Sequence, residues 1–363
     1  MRVLVCTVVH HTTDARVFRR EIGALLAAGI DVDAIAAWPA SDASDAHYRR
    51  FTIPRAVGRR RLGALRAARA RISALAVDAQ VLVIHDPELL LVLPWRELRR
   101  LRVRVIWDVH EDLAAALSNK AYLPSPLRRV LVPVVHLVEH LAERRATLLL
   151  AEDAYQQRFS RPHQVVHNLP LVGGSLPAGE RRRQAIYVGS ITRARGLDEM
   201  LAIAPVLAEH GIALRLIGEA PASGDRERIA ATANVVWNGA VPNAEAMREV
   251  EESMVGLALL HDLPNYRHSM PTKILEYMAS GTAVVATPLP LSRQVVGENG
   301  VVLPGFNDIV PAAIEAIVRL CDDEAERMRM TRAAFARVSG EYNWNVAQGA
   351  FVEAVRASSR PGA

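Results

Sequence analysis

The amino-acid sequence predicts an α/β protein with two doubly wound parallel-sheet domains. Strand-like apolar runs alternate with helix-like segments along the chain, which is the pattern of βαβ units. The length of 363 residues exceeds that of one usual domain. A Gly-, Pro- and Arg-rich stretch without periodicity, residues 172–183, separates two such alternations. Two α/β halves joined by a linker leave a cleft between them, where ligands usually bind.

The first half begins with a short apolar run that predicts a buried strand. Its predicted strands are 3–9, 31–37, 81–84, 103–107, 148–151 and 164–167. A helix is predicted over 16–28, closed by Gly29, and a loop with a short helix over 110–123. Apolar residues recur at helical spacing over 126–145, which predicts a long amphipathic helix.

The second half repeats the alternation after the linker. Its predicted strands are 185–188, 214–217, 235–237, 255–260, 283–286 and 300–302. Helices are predicted over 196–210 and, at the end of the chain, 342–355. The predicted division is therefore a first domain of residues 1–171, the linker 172–183, a second domain of residues 184–340, and a C-terminal helical segment, 341–363.

Composition limits the class of protein. Hydrophobic residues are 50% and charged residues 23%, which indicates a globular chain rather than a disordered one. Cys6 and Cys321 are too far apart in sequence to indicate a disulfide framework or zinc spacing, and they fit a reducing cytoplasm. The apolar run at the N-terminus is too short for a signal peptide or a membrane span. We expect a cytoplasmic protein.

Arginine dominates the net charge of +5 and clusters over 59–71 and 96–104. These clusters fit a solvated helix surface, an anionic membrane surface or nucleic acid. Aromatic residues are not interleaved with the arginines, so we expect no nucleic-acid partner. Peripheral contact with the inner face of a membrane stays open, because lipid headgroups need only a basic face.

The most informative segment is 269–287, which predicts a loop, a helix, a turn of small residues and a buried strand. Ser269 and Thr272 place hydroxyls where the helix begins, and a helix N-terminus suits a phosphate. Glu276 lies about one turn further, within reach of a sugar hydroxyl at the same end. The segment predicts a site for a nucleotide sugar; the alternative is an ordinary αβ unit with a solvated Glu and Lys.

A second loop, after the strand 185–188, supplies cations. Gly189 lets the backbone approach a ligand closely. Arg195 just precedes a helix, so its guanidinium and the helix start could grip one diphosphate. Arg193 and Lys273 are further candidates, and surface arginines are the alternative interpretation.

Loops after strands of the first half carry histidines and carboxylates. Asp14, in the run that starts at His10, is either a helix N-cap or a ligand contact. Asp86 follows His85 and precedes Pro87, so it either caps the next helix or contacts a ligand.

His110 stands between carboxylates at a strand end, which can hold it in one tautomer and orientation. A metal site is not expected there, because the adjacent side chains of His110, Glu111 and Asp112 diverge and no second His falls at ligand spacing.

Taken together these motifs resemble GT-B glycosyltransferases, in particular the retaining enzymes of the family 4 (group 1) type. Many members carry two glutamates eight positions apart in the donor motif; here the second is Glu276 and the first position is His268. Members commonly show Gly-Arg and then Lys-Gly where this chain has Gly189-Ser190 and Arg195-Gly196. The runs 14–18, 85–88 and 108–112 resemble one subgroup of the family.

The resemblance implies a GT-B fold of two facing Rossmann-like domains and a sugar transferred from a nucleotide-diphosphate sugar to an acceptor hydroxyl with retention. Neither a metal nor a cofactor beyond this co-substrate is expected. The acceptor is a glycan, a lipid-linked saccharide or a small molecule. The alternatives are a nucleotide-sugar epimerase on the same fold and a non-catalytic nucleotide-sugar-binding protein.

The implied residue roles follow the matched positions. Catalytic roles fall to His110, Arg193, Arg195 and Lys273. Donor binding falls to Gly189, Ser190, Trp237, His268, Ser269, Met270, Pro271, Thr272 and Glu276. Acceptor binding falls to His10, His11, Asp14, Arg16, His85, Glu111 and Asp112.

Overall fold

A computed structural model describes residues 1–12, 14–39, 45–110 and 125–359, with the side chains of residues 125–130 left aside. The chain divides into two compact units. Unit 1 consists of Met1–Asn168 and Ala347–Ala363, and unit 2 of Leu169–Val346.

The described residues of unit 1 form a seven-stranded parallel sheet of order β3-β2-β1-β4-β5-β6-β7. Its strands are β1 Arg2–Cys6, β2 Asp31–Ala36, β3 Tyr48–Thr52, β4 Val81–Ile84, β5 Arg104–Val109, β6 Thr147–Leu150 and β7 Gln164–Val165. Cys6 pairs with Ile84, and Ile84 pairs with Trp107. The carboxyl ends of β1, β4 and β5 therefore meet at one edge, and their loops converge there.

The helix predicted over 16–28 begins as a π-helical turn, Ala15–Glu21, and continues as α1, Ile22–Ala27. Asp14 is its N-cap: a side-chain oxygen accepts from the Val17 N–H at 3.0 Å. The remaining helices of unit 1 are α2 Arg61–Leu75, α3 Trp95–Arg100, α4 Ser125–Glu143 and the last helix of the chain, α13 Trp344–Ser359, which belongs to unit 1 from Ala347 onward.

Strand β3 and helix α2 have no counterpart in the sequence prediction. Both are rich in arginine, and α2 lacks a wide apolar face because small alanines supply much of its buried side. The predicted long helix 126–145 is confirmed as α4. The predicted loop and short helix over 110–123 falls, except for His110, outside the described residues.

Unit 2 contains a six-stranded parallel sheet of order β10-β9-β8-β11-β12-β13 in the described chain. Its strands are β8 Arg182–Val188, β9 Ala213–Ile217, β10 Val235–Trp237, β11 Ser253–Ala258, β12 Ala283–Ala286 and β13 Val301–Val302. Its helices are α5 Leu197–Glu209, α6 Ser223–Ala231, α7 Asn243–Glu251, α8 Pro264–Arg267, α9 Thr272–Ala279, α10 Pro290–Val296, α11 Ile309–Asp322 and α12 Glu324–Glu341.

The end of the predicted linker is part of the fold. Strand β8 begins at Arg182, inside the stretch 172–183. Arg181 donates from its guanidinium to the carbonyl oxygen of Ser280 at 2.9 Å and to that of Ser253 at 3.3 Å. Arg181, in the arginine run 181–183, therefore anchors the chain just before β8 by hydrogen bonds within unit 2. The charge of the run alone did not predict these contacts.

Each unit has an apolar core on its sheet, built mostly from aliphatic side chains, as the low aromatic content predicts. Both cysteines are buried and free, Cys6 in unit 1 and Cys321 in unit 2. Among the described residues, none of the helices has the length and apolar character needed to cross a membrane.

Candidate active site

A pocket in unit 2 brings two cations together with a helix start. We call it the cation pocket. It is lined by Tyr187, Arg195, Ala258, Leu260, Tyr266, Ser269, Met270, Pro271, Thr272, Lys273, Ile274, Leu289 and Ser292. Helix α9 begins at this pocket, at Thr272, without a side-chain cap. The first-turn amides of a helix carry partial positive charge, so the pocket favours an anion.

Close backbone packing fixes Lys273 at this pocket. Gly189 follows β8 with φ of 134°, and a Cβ there would lie 2.4 Å from the Lys273 Nζ. Gly218, with φ of 141°, packs its Cα against the Gly189 carbonyl, where a Cβ would come within 1.9 Å of the oxygen. Both positions require glycine, for conformation and for space.

The electrostatics of Lys273 are those of a buried cation beside another cation. Burial lowers its pKa, Arg195 lowers it further and Glu276 opposes the shift, which leaves a pKa of about 8. Lys273 is therefore still largely protonated at neutral pH. Its Nζ also lies 5.6 Å from the centre of the Tyr187 ring.

Arg195 reaches the pocket from a 3₁₀ turn, Arg193–Arg195, that ends at Gly196. Burial opposes its charge, but Tyr187 and Tyr266 outweigh this and raise its pKa. Gly196 has φ of 88°, and a Cβ there would lie 2.4 Å from the Leu259 carbonyl oxygen. The turn therefore packs closely against the residue after β11 while it presents Arg195.

Of the four predicted catalytic residues, Arg195 and Lys273 line the pocket, Arg193 does not, and His110 belongs to unit 1. The predicted donor residues outside the lining are Gly189, Ser190, Trp237, His268 and Glu276. Arg193 points to Asp225, with 3.4 Å between Nε and the carboxylate, and its side chain is 65% exposed. The Trp237 Nε1–H donates to the Gly218 carbonyl at 2.9 Å, and the Ser190 carbonyl accepts from the Tyr187 hydroxyl at 2.8 Å. His268 ends helix α8, and Glu276 acts on the pocket through the charge of Lys273.

Sequence reasoning missed Tyr187 and Tyr266 as pocket residues. Tyr187 is the penultimate residue of β8, where the sequence pattern indicates only a core position, and its ring is fully buried. Tyr266 lies on α8, a four-residue helix too short to leave a periodic signal.

Unit 1 gathers charged side chains where β1, β4 and β5 end. This polar cluster consists of His10, Asp14, Arg16, Glu21, His85, Asp86, Asp108 and His110. The π-helical turn after β1 contributes Arg16 and Glu21, both buried. Strand β5 contributes Asp108, which is fully buried.

The buried half of the cluster is a salt-bridge network around Arg16. Its guanidinium donates to both Asp108 oxygens, at 2.8 and 2.6 Å, and its Nε lies 3.0 Å from Glu21. Burial opposes ionisation, but Arg16 holds the pKa of Asp108 well below its usual range. These contacts satisfy Asp108, whereas Oε1 of Glu21 is within ion-pair distance of Arg16 but has no hydrogen bond.

His85 completes the network through a 2.8 Å hydrogen bond between Nε2 and Glu21. Burial lowers its pKa, yet Glu21 and Asp108 raise it to about 9. Ligand atoms of Glu21, His85 and Asp108 lie within 4.8 Å of one another. Because Arg16 already pairs with both carboxylates, we interpret the trio as part of the salt-bridge network rather than as a metal site.

The more accessible half of the cluster contains two histidines. His10 Nδ1 lies 3.2 Å from Asp14, and His110 Nδ1 lies 3.0 Å from Asp108. The two Nε2 atoms face each other at 2.9 Å. Their side chains are 16% and 12% exposed, so a ligand can reach them more readily than the network behind them.

Asp86 occupies the N-cap position of the 3₁₀ helix Pro87–Leu91, but its side chain makes no capping hydrogen bond, so the capping interpretation is wrong. Its carboxylate turns back to the end of β1 and accepts from the Thr7 hydroxyl at 2.8 Å and the Val8 N–H at 2.6 Å. His11 is exposed beside this cluster. Glu111 and Asp112, the other predicted acceptor residues, lie outside the described residues.

Residues 182–323 match a family model described as "Glycosyl transferases group 1". They form a group 1 glycosyltransferase domain. Every residue that lines the cation pocket falls within this range. The predicted resemblance to group 1 glycosyltransferases is therefore confirmed for residues 182–323.

Similar solved structures confirm the GT-B fold of the chain. Sucrose-phosphate synthase from Thermosynechococcus elongatus is 18% identical, with 98% of each chain covered and a TM-score of 0.69. HepE from Anabaena, in complex with UDP and glucose, is 13% identical over 98% of this chain and 100% of its own, with a TM-score of 0.69.

WaaG, a glycosyltransferase involved in lipopolysaccharide biosynthesis, is 13% identical over 97% of this chain and 98% of its own, with a TM-score of 0.67. The sequence matches none of the curated proteins searched. The structural likenesses carry the fold, and the family match carries the glycosyltransferase assignment.

Proposed function

We propose that this glycosyltransferase transfers a sugar from a nucleotide-diphosphate sugar to an acceptor hydroxyl, with retention at the anomeric carbon and without a metal. One observation carries the proposal. Half-buried Lys273 and Arg195 converge beside the N-terminus of α9 in a pocket within the residues that match the group 1 model. This arrangement suits a diphosphate.

The chemistry needs charge stabilisation more than a strong base. As the bond between the sugar and the diphosphate breaks, negative charge grows on the leaving group. Lys273, Arg195 and the α9 amides stabilise that charge in a protected pocket. Because the protein supplies these cations, a divalent metal is not needed for the same purpose. Retention follows from the family resemblance.

We assign the sugar nucleotide to the cation pocket because polar groups lie at and beside the pocket. Ser269 and Thr272 offer hydroxyls at the phosphate end, and Gly189 allows close backbone approach. Glu276, one turn into α9, is assigned to the ribose. HepE, a protein of the same fold, was solved with UDP and with UDP-glucose, which supports a nucleotide-sugar donor.

The acceptor is assigned to unit 1, at His10, Asp14 and His110. These groups form the accessible side of the polar cluster, and the salt-bridge network of Arg16 and His85 lies on its buried side. A glycan, a lipid-linked saccharide or a small molecule fits hydrogen bonding of this kind.

Peripheral membrane contact on the cytoplasmic side is part of the proposal, and the surface of unit 1 supports it. Helix α4 exposes Val134, Leu137 and Leu141. An open basic cavity lined by five arginines shares Trp95 and Arg145 with the apolar groove beside Leu141. Apolar side chains next to arginines suit an anionic lipid surface. Vesicles with phosphatidylglycerol should retain the protein on flotation, and vesicles of phosphatidylcholine should not.

The donor test is a thermal-shift screen against UDP-, GDP-, dTDP- and ADP-sugars, with mass spectrometry of donor hydrolysis. One nucleotide class should raise the melting temperature and be hydrolysed slowly. Glu276→Ala should weaken binding of that donor, and Glu298→Ala, a substitution outside the pocket lining, serves as the control. Failure of every donor to bind would contradict the proposal. Unchanged affinity in Glu276→Ala would contradict the ribose assignment alone.

A further inference from the structure

The two accessible histidines of unit 1 have an unusual hydrogen-bond arrangement. Each ring has its Nδ1 on a carboxylate, His10 on Asp14 and His110 on Asp108. That leaves the two Nε2 atoms, which lie 2.9 Å apart. The rings are tilted by 58°, with centroids 4.8 Å apart.

Hydrogen-bond chemistry sets the number of protons in this arrangement. A carboxylate accepts, so each Nδ1 must carry a proton. The Nε2–Nε2 contact is a hydrogen bond only if one nitrogen donates and the other accepts, which requires one proton between them. The pair therefore holds three ring protons and one positive charge, one proton fewer than two imidazolium ions.

We propose that His10 and His110 share one proton across their Nε2 atoms and titrate as a single unit, with His10 the positioning residue that sets the protonation of His110. This inference rests on the proposed function for its catalytic consequence. The shared proton itself follows from geometry within unit 1.

The surroundings favour charge on the pair, and on His10 first. His10 faces Asp14 and, at 3.6 Å, Asp86, whereas His110 faces Asp108, which Arg16 already neutralises. Within the described part of the chain, the other histidine near the pair is His85, whose ring centre lies 6.3 Å from His10 and 5.9 Å from His110. Burial lowers the pKa of His10, but Asp14 and Asp86 outweigh burial and raise it.

The direct test is a pH titration of the ¹⁵N-histidine resonances of the full chain without substrate. A shared proton predicts that His10 and His110 report the same two midpoints, because coupled groups titrate as a pair. His47, which is 82% exposed in the same unit, is the control and should show one midpoint. Separate single midpoints for His10 and His110 would overturn the proposal.

Two variants remove the coupling in different ways. His10→Gln keeps a hydrogen-bonding side chain without a titrating ring, so His110 should then titrate in one step. Asp14→Asn keeps an N-cap side chain but removes the charge, so the upper midpoint should fall. An unchanged titration of His110 in folded His10→Gln would also overturn the proposal.

The kinetic test separates this role from packing. His10→Gln should alter the pH profile of kcat, because His110 then has no ring with which to share a proton, with the donor KM within twofold. A purely structural role would lower activity without moving the profile. If the wild type transfers no sugar but His10 and His110 show the same two midpoints, the proposed function fails and the proton-sharing pair stands. If the wild type transfers sugar but the two histidines show separate single midpoints, the proton-sharing pair fails and the proposed function stands.

Discussion

Units 1 and 2 both place charged groups at the carboxyl ends of parallel strands, but they balance them differently. In unit 1, Arg16 is held between Asp108 and Glu21, so the network is neutralised from within. In unit 2, Lys273 is buried beside a second cation, and burial and repulsion together lower its pKa to about 8. Breaking the network of unit 1 would therefore leave an unpaired buried charge, whereas the cation pocket of unit 2 gathers positive charge, which favours an anion.

The largest expected effect is a loss of fold stability when the salt-bridge network of unit 1 is broken. Asp108→Asn removes the buried partner of Arg16 and of the His110 Nδ1–H, and should cost about 3–5 kcal/mol in the free energy of unfolding. Urea denaturation measures it. The matched control is Glu88→Gln, because the Arg61–Glu88 pair is partly exposed, with side chains 53% and 21% exposed, and should be worth at most about 1 kcal/mol. Equal losses would show that the network of unit 1 is not the stabilising element.

The second effect is catalytic and belongs to unit 2. Lys273→Met should leave the fold intact, since the apolar side chain relieves a buried charge. It should raise the barrier to transfer by about 3–4 kcal/mol, or ~100- to 1000-fold in kcat. Arg193→Met is the control, because Arg193 is exposed and paired with Asp225. A loss for Arg193→Met as large as that for Lys273→Met would remove the cation pocket from the mechanism.

The sequence predicted the pocket better than the network, for a physical reason. The start of α9 and the Arg195 turn are local: a few consecutive residues position the groups. The network joins Arg16 to Asp108 across 92 positions of sequence, and only the strand order brings them together. His110 was expected to be held by a neighbouring carboxylate, and its Nδ1 does contact Asp108. Its second partner, His10, is 100 positions away in sequence and was not expected.

The same distinction explains which elements were missed. Strands β8 to β12 carry apolar runs that the sequence displays directly. Strand β3 is half-buried and arginine-rich, so it resembles a surface loop in sequence. Its backbone pairs with β2 from Tyr48 to Thr52 and its Arg49 bonds the fully buried Asp33, contacts that only the folded chain provides.

A third prediction uses pH to test the balance in unit 1. The pKa of His85 is about 9 in the folded protein, against an ordinary value near 6.5, because Glu21 and Asp108 outweigh burial. A raised pKa stabilises the fold fully below pH 6.5, and the contribution disappears as pH rises through 9. His85→Gln should therefore lose up to about 3 kcal/mol relative to wild type at pH 6, and much less near pH 9.5.

The measurement is the difference in unfolding free energy between wild type and His85→Gln at several pH values. His47→Gln controls for the exposed histidine of the same unit. A difference that is constant with pH would mean that His85 is neutral in the folded state and stabilises only by packing.

The smallest effect concerns the geometry that holds Lys273 in the cation pocket. Gly189→Ala adds a Cβ 2.4 Å from the Lys273 Nζ at φ of 134°, so the lysine must shift and the backbone is strained. We expect the losses in the free energy of unfolding and in the free energy of donor binding to sum to about 1–3 kcal/mol. Gly174→Ala, with no atom within 4 Å of its added Cβ, is the control and should change neither.

Because Lys273 can move at its flexible end, stability should fall less than affinity. The reverse order would show that Gly189 serves the fold of unit 2 rather than the placement of its buried cation, and the contrast with unit 1 would then rest on Arg195 alone.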